Sequence, residues 1–336
     1  MDKPAEFLEN KQVVEPGITV VIVTYCRPKF LESILGQINN QTLLPVCIVV
    51  VDNDSNKSAK DVLTQSKVLS TPIPVIYVPN NVNSLSIGRN LGVSHVKTEF
   101  TCLLDDDVVI PMNYLEQVFE SMNQLPNAVG VQGILNLGGR AKLKNIIAFL
   151  TGNFYLSNKT CKVRWSISTS YPKYSGGGTP LLCEWMSGTN QFYPTRVIKE
   201  VKWDENLLKY SDGEDLDHSL RVSRGGFGSL YLLPDLLLKH LETPEARVTG
   251  FKNVLMRECY SYYLLHKLFP KQRNAQVFFM WSRLSTLAIE IIQVLLSGFR
   301  KTKLIALYTH VKALIVVFHF RTELRCLDTS KVNSLL

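Results

Sequence analysis

Three adjacent carboxylates, Asp105-Asp106-Asp107, follow directly on the uncharged run Phe100-Thr101-Cys102-Leu103-Leu104. Such a run reads as a buried strand, so the carboxylates crown its C-terminal end. Like charges side by side repel, and burial penalises each ionised form, so a divalent cation carrying phosphate oxygens is the natural compensation. The competing reading is a solvated acidic turn capping a helix that starts near Pro111-Met112-Asn113. A second acidic group, Gly213-Glu214-Asp215-Leu216-Asp217, opens a stretch in which Leu216, Leu220 and Val222 mark a helix. Its carboxylates fall in the first turn, where the helix dipole favours anions, and read alone they are a well-capped N-terminus.

What must position these groups is an alternation of strands and helices. Ile18-Thr19-Val20-Val21-Ile22-Val23-Thr24 is β-branched and uncharged, as a parallel strand covered on both faces requires. Phe30, Ile34, Leu35 and Ile38 predict a helix from Pro28 to Asn39, with the proline in its first turn. Cys47 to Val51 predicts a second strand, Val75 to Val78 a third and Phe100 to Leu104 a fourth, with a helix from Ser86 to His95 between the last two. The pattern implies a doubly wound α/β layer structure with right-handed crossovers.

Polar clusters follow each strand, where such sheets bind ligands. They are Thr24-Tyr25-Cys26-Arg27-Pro28, Asp52-Asn53-Asp54, Asn80-Asn81 leading to Gly88-Arg89-Asn90-Leu91-Gly92, and the acidic triplet. Turn chemistry explains any one of them. Together they fit a nucleotide, which needs a carboxylate or amide at its base edge, an arginine for phosphate and a cation for the diphosphate.

Taken in order, Val23 to Pro28, Val50 to Ser55, Gly88 to Gly92, Leu103 to Asp107, Trp185 to Asn190 and Gly213 to Arg221 carry a resemblance. From Ile18 to His240 the chain resembles the family-two glycosyltransferases of GT-A fold. The resemblance implies a Rossmann-like GT-A sheet with helices on both faces. It also implies sugar transfer from a nucleotide-diphosphate donor to an acceptor hydroxyl, with inversion at the anomeric carbon and a divalent metal, Mn2+ or Mg2+.

By the same resemblance Asp52 contacts the donor's base and Arg89 lies beside the nucleotide, with Thr24, Tyr25, Arg27, Asp54 and Asn90 sharing in donor binding. Asp105, nearer the ribose, and Asp107, the principal metal ligand, match the outer positions of an Asp-x-Asp motif, and Asp106 assists. Asp215 takes the place of the base that removes the acceptor's proton; Glu214 orients the site, and Asp217 is the alternative base in a shifted register. Trp185, Gly188 and Asn190 match the segment between donor and acceptor pockets, where an indole stacks on a sugar or packs in the core. His240 completes the metal shell or is structural. Gly176-Gly177-Gly178 reads as a mobile acceptor loop, because no strand–turn–helix pattern surrounds it.

With 336 residues, 46% apolar and 20% charged, the chain has the composition of a globular enzyme. Its seven cysteines are scattered and contain no C-x-x-C pair, which points to reduced thiols in a cytoplasmic setting rather than to disulfides or zinc. Met1 to Glu6 lacks the basic-then-apolar order of a signal peptide. The net charge of +8 comes from residues 250–336, where 13 Lys and Arg meet 4 Asp and Glu. There, between Ala275 and Gly298, Gln276, Arg283, Glu290 and Ser297 recur every seven residues in an otherwise apolar helix, and Lys303 to Phe320 is similar.

These segments predict helices lying in a membrane interface, with the apolar side in lipid and the cationic side toward anionic head groups. A packed cap or a homodimer is the alternative. Nucleic acid is not expected, because the segment is far too apolar for a basic arm. The expected organisation is an N-terminal extension (1–17), a catalytic domain (18–250) and a basic amphipathic helical region (251–336). The expected function is non-processive extension of a lipid-linked surface glycan, peripheral at the inner face of the cell membrane. A processive polysaccharide synthase component and an inactive nucleotide-sugar-binding scaffold are the alternatives.

Overall fold

A computed structural model of the chain describes residues 14–65, 73–138, 141–157, 159–241, 243, 245 and 247–336; residues 1–13 of the expected extension lie outside them. Strand β1 (Glu15–Thr24) pairs in parallel with β2 (Cys47–Asp52) and β4 (Thr98–Asp105), and β2 pairs in parallel with β3 (Val75–Pro79). The crossovers are α1 (Pro28–Asn39), α2 (Ser58–Gln65) and α3 (Leu85–Ser94). In α1 the buried residues are Leu31, Ile34, Leu35 and Ile38, the stripe that a 3.6-residue period lays against a sheet. Each such side chain contributes about 1.5–3 kcal/mol on burial.

The sheet then departs from a simple doubly wound order. After β4 come β5 (Val108–Val109), α4 (Tyr114–Gln124), β6 (Ala128–Leu135), α5 (Lys142–Leu150) and the small pair β7 (Tyr155–Ser157) and β8 (Ser170–Pro172). They are followed by β9 (Leu181–Cys183), β10 (Asn190–Pro194), α6 (Thr195–Glu200), α7 (Glu214–Arg224) and β11 (Ser229–His240). Strand β10 inserts antiparallel between β4 and β6, and β11 runs parallel to β6, so the sheet is mixed.

Two pairings matter for chemistry. Asn190 of β10 lies opposite Leu104, which brings the segment before β10 to the end of β4. At the far end of β11, His240 pairs antiparallel with Val108, which brings it back beside the acidic triplet.

A second apolar core is built by α8 (Gly250–Leu268), α9 (Arg273–Leu296), α10 (Lys301–His319), α11 (Arg321–Arg325) and α12 (Ser330–Asn333) around Leu207 and Leu220. Helix α8 is tied to α7 by ions: Lys267 Nζ lies 2.5 Å from Asp204 and 2.9 Å from Asp217. Helices α9 and α10 are long and apolar enough to cross a membrane by length and composition, with mean hydropathy of 1.4 and 1.2.

The polar stripe of α9 corrects one expectation. Arg283 faces Glu258 of α8 at 2.6 Å, and Glu290 faces His310 of α10 at 2.9 Å, so the charged side is turned into the protein and not toward head groups. The outward side is apolar, with Val277, Met280, Leu284, Ile292 and Leu295 all more than half exposed.

Candidate active site

Asp106 and Asp107 are buried and Asp105 partly so, and the triplet is densely partnered. Asp106 accepts from Thr24 Oγ1 at 2.7 Å and from Arg27 Nη1 at 3.0 Å, and burial pushes its carboxyl up to about 6 against these two partners. Asp107 meets His240 Nε2 at 3.1 Å and both Arg27 and Arg247 at 3.4 Å. Burial works against its charge, yet these partners hold it below the usual carboxylate range. Asp105 is pushed up by burial and by the like charge of Asp107, with Arg89 opposing.

One ligand atom from each of Asp105, Asp107 and His240 lies within 4.8 Å of the others. Two carboxylate oxygens and an imidazole nitrogen can hold a divalent cation, the carboxylates being donors that suit Mn2+ or Mg2+, and a cation there relieves the repulsion between the two carboxylates.

Arg89 joins this cluster to the second acidic group. It is 2% exposed, ion-paired with Glu214 at the start of α7, 3.3 Å from Asp105, and donates to Gly188 O at 2.8 Å. Burial pushes the Glu214 carboxyl up, with Arg89 pulling the other way. A Cβ at Gly188 would lie 2.8 Å from Arg89 Nη2 and 3.0 Å from Glu214 Oε1, so a side chain there would displace the ends of this ion pair. The loop before α7 is strained, with Lys209 and Ser211 at φ +60° and +52° and Gly213 at +85°. Such backbone strain clusters at functional sites, and Tyr210 and Asp212, which sit between these positions, line the cavities of the site.

Asp215 is half-buried in the first turn of α7. Its Oδ2 accepts from Gly188 N at 2.9 Å and its Oδ1 from Leu216 N at 2.7 Å. A carboxylate has about four acceptor positions, so two remain for a hydroxyl. Burial raises its pKa above the ordinary value, with the Gly188 N–H and Arg89 opposing.

Three cavities run along this line, of about 80, 260 and 420 Å³. The first is lined by Thr24, Tyr25, Arg27, the acidic triplet, Tyr210 and Arg247. The second shares Asp105 and Tyr210 with it and adds Arg89, Glu214 and His240. The third shares Trp185, Asp212 and Asp215 with the second and reaches Arg257, Arg283 and Thr286.

Several of the expected site residues lie away from these cavities or make structural contacts. Asp52 is 1% exposed and lines none of these cavities: its oxygens accept from Asp54 N, Ala59 N and Tyr77 Oη at 3.0–3.2 Å. Asp54 accepts from Asn56 N at 2.9 Å, so both carboxylates hold the β2–α2 turn. Asn90 bonds the backbone of Trp203 in both directions, and Asn190 is a core residue accepting from Gly133 N and Tyr114 Oη. Asp217 is fully buried between Arg221 and Lys267 and lines none of the three cavities, whereas Glu214 and Asp215 line the second. Trp185 donates Nε1 to Ser170 O at 3.1 Å and is mostly buried, yet lines two cavities. The Gly176–Gly178 segment is fixed to Asp235 by Gly178 N at 2.7 Å and lines none of the three.

Arg247, Tyr210 and Asp212 are site residues that the sequence reading misses. Arg247 lies 5.5 Å over the Tyr210 ring while contacting Asp107. Its loop follows His240 and carries no periodic pattern.

Residues 19–176 match the family model for glycosyl transferase family 2. The chain is 24% identical over 106 residues to the putative glycosyltransferase EpsH of Bacillus subtilis, covering 32% of this chain and 30% of that protein. It is 27% identical over 106 residues to the succinoglycan biosynthesis protein ExoM of Rhizobium meliloti, covering 31% and 34%. The chain thus spans about a third of the length of these curated relatives. Among solved structures it is similar to the mannosyltransferase PcManGT of Pyrobaculum calidifontis in complex with GDP-Man and Mn2+, with a TM-score of 0.55, 13% identity and coverage of 90% and 87%. At that identity the likeness is one of fold, the GT-A fold.

Proposed function

We propose, from a chain whose residues 19–176 belong to glycosyl transferase family 2, that it transfers a sugar from a nucleotide-diphosphate donor to an acceptor hydroxyl with inversion. The observation that supports this best is the Arg89 link between Asp105 and Glu214, in a cavity that Asp105 and His240 of the candidate cation site share with the half-buried Asp215. The donor lies in the cavity lined by Thr24, Tyr25, Arg27 and Arg247, with the arginines facing its phosphates. Asp105, Asp107 and His240 would hold a divalent cation, which when bound neutralises the diphosphate.

Asp215 is the base. As the acceptor oxygen bonds to the anomeric carbon and the bond to the diphosphate breaks on the opposite face, the hydroxyl proton passes to a free lone pair of Asp215. Glu214 and Gly188 orient it, through Arg89 and through the Gly188 N–H. Trp185 walls the acceptor side. We take residues 18–250 as the catalytic unit and the acceptor as a lipid-linked surface glycan, extended non-processively by an enzyme peripheral at the cytoplasmic face of an anionic membrane. A relative named for succinoglycan biosynthesis supports a glycan acceptor.

A thermal-shift screen of nucleotide sugars with and without Mn2+ tests the reading. A ligand that binds the native state raises the melting temperature, so one donor should do so only with the metal. No shift with any sugar nucleotide would sink the proposal.

A further inference from the structure

Helix α5 is nine residues long, and only Ala148 on it is buried. Leu143 is 69% exposed and Leu150 61%, with Ile146, Ile147 and Phe149 exposed beside them. A helix this short has little stability of its own in water, so its neighbours must hold it. Arg164 does so, donating to the carbonyls of Ala148, Phe149 and Asn153 at 3.3, 2.6 and 3.0 Å. Its guanidinium also lies 5.2 Å from the rings of Phe149, Tyr155 and Phe278. Trp281 of α9 donates Nε1 to Leu150 O at 3.0 Å. The protein therefore fixes an exposed apolar helix in place, directly against the outward apolar side of α9.

That surface continues onto α10, where Ile305, Tyr308, Ile315 and Phe318 are more than half exposed. Apolar patches of this extent are uncommon on soluble monomers and mark interaction sites. Their charge is of one sign. Helix α5 carries Lys142 and Lys144, residues 300–321 carry Arg300, Lys301, Lys303, Lys312 and Arg321, and neither stretch contains Asp or Glu. Glu290, the one acid of α9, is turned inward to His310.

We propose that α5, α9 and α10 form one bilayer-docking face for anionic lipid, so that residues 142–150 are an anchor inside the catalytic half. The proposal rests on the membrane contact suggested above and extends it beyond the C-terminal region. Pairing this face with a second copy would set cation against cation, whereas anionic head groups complement its basic residues while the apolar side chains enter the acyl boundary. Asn153 and Phe154, just after α5, and Arg283 and Thr286 of α9 also wall the cavity that ends at Asp215. An acceptor head group carried on a membrane lipid suits that arrangement.

The test is co-sedimentation of the full-length protein with phosphatidylglycerol–phosphatidylcholine vesicles. Leu143→Glu with Ile146→Glu should lower the partition by at least about tenfold, while the metal-dependent thermal shift with a nucleotide sugar is unchanged. Leu143→Ser with Ile146→Ser, which adds no charge, should lower it by a smaller factor that salt does not alter. If the Glu variant partitions as the wild type does, α5 is not on the membrane, although the C-terminal reading stands. If the wild type ignores the vesicles, both fall. A wild-type dimer that the Glu variant converts to monomer would make the face a homodimer interface and overturn the proposal.

Discussion

Arg89 is ion-paired with Glu214 while both are almost fully buried, and its second nitrogen lies 3.3 Å from Asp105, so one side chain fixes the start of α7 to the end of β4. Burial works against the Arg89 charge, and Glu214 and Asp105 outweigh it, holding its pKa above the ordinary value. A lone buried charge is far costlier than a buried pair.

Arg89→Met should therefore destabilise the protein by about 3–5 kcal/mol, since it strands Glu214 in a dry site. The double variant Arg89→Met with Glu214→Leu should recover part of that loss, because it removes both charges. Urea unfolding of the three proteins measures this. A double variant less stable than the single one would show that the pair is not what Arg89 contributes.

Asp107→Ala should abolish metal-dependent donor binding and leave the fold intact, because Asp106 still holds Arg27. Asp107 is also what keeps His240 above its ordinary pKa of 6.5 against burial. The imidazole of the variant should then titrate lower, a change that NMR of the metal-free protein reads. Unchanged titration together with unchanged metal dependence would remove Asp107 from the site.

The first four strands are legible in the sequence because parallel strands covered on both faces must be uncharged and β-branched, and Val20, Val21 and Ile22 meet that condition. Strand β10 is not, since five residues carry no period and its partners lie far off in the chain. Asp52 is ambiguous for a chemical reason: capping a turn and reading a base edge call for the same residue type. The seven-residue spacing on α9 reveals a polar stripe but not which side of the helix the protein covers. Arg247 reaches Asp107 from an irregular loop, 140 positions away, with no local signal.

Asp204 gives a stability test. Burial raises its pKa, but Lys267 and Tyr263 pull it below the ordinary 3.8. A depressed carboxylate contributes stability that is full above its unfolded value and is lost as pH falls through its lower folded value. Asp204→Asn should cost about 1.5–3 kcal/mol at neutral pH, and the gap in melting temperature from wild type should narrow below pH 3.8. A gap that stays constant down to the acid limit of the fold would mean that Asp204 acts by packing alone.

The role proposed for Asp215 has a kinetic test. A base must be ionised to act, and burial raises its pKa above 3.8, so turnover should fall on acidification along a limb lying above that value. Asp215→Asn keeps the shape and its contact with the Gly188 N–H but cannot accept the proton. It should retain the metal-dependent thermal shift with donor while kcat falls by about two to four orders of magnitude. The residual rate should lose the acid limb, because the group that titrates is gone. Asp217→Asn, in contrast, should weaken the α7–α8 contact with Lys267 and lower stability while leaving the shape of the pH profile unchanged. Near-normal turnover in Asp215→Asn, or an acid limb that persists, would move the base to Glu214 or Asp212, which line the same cavity.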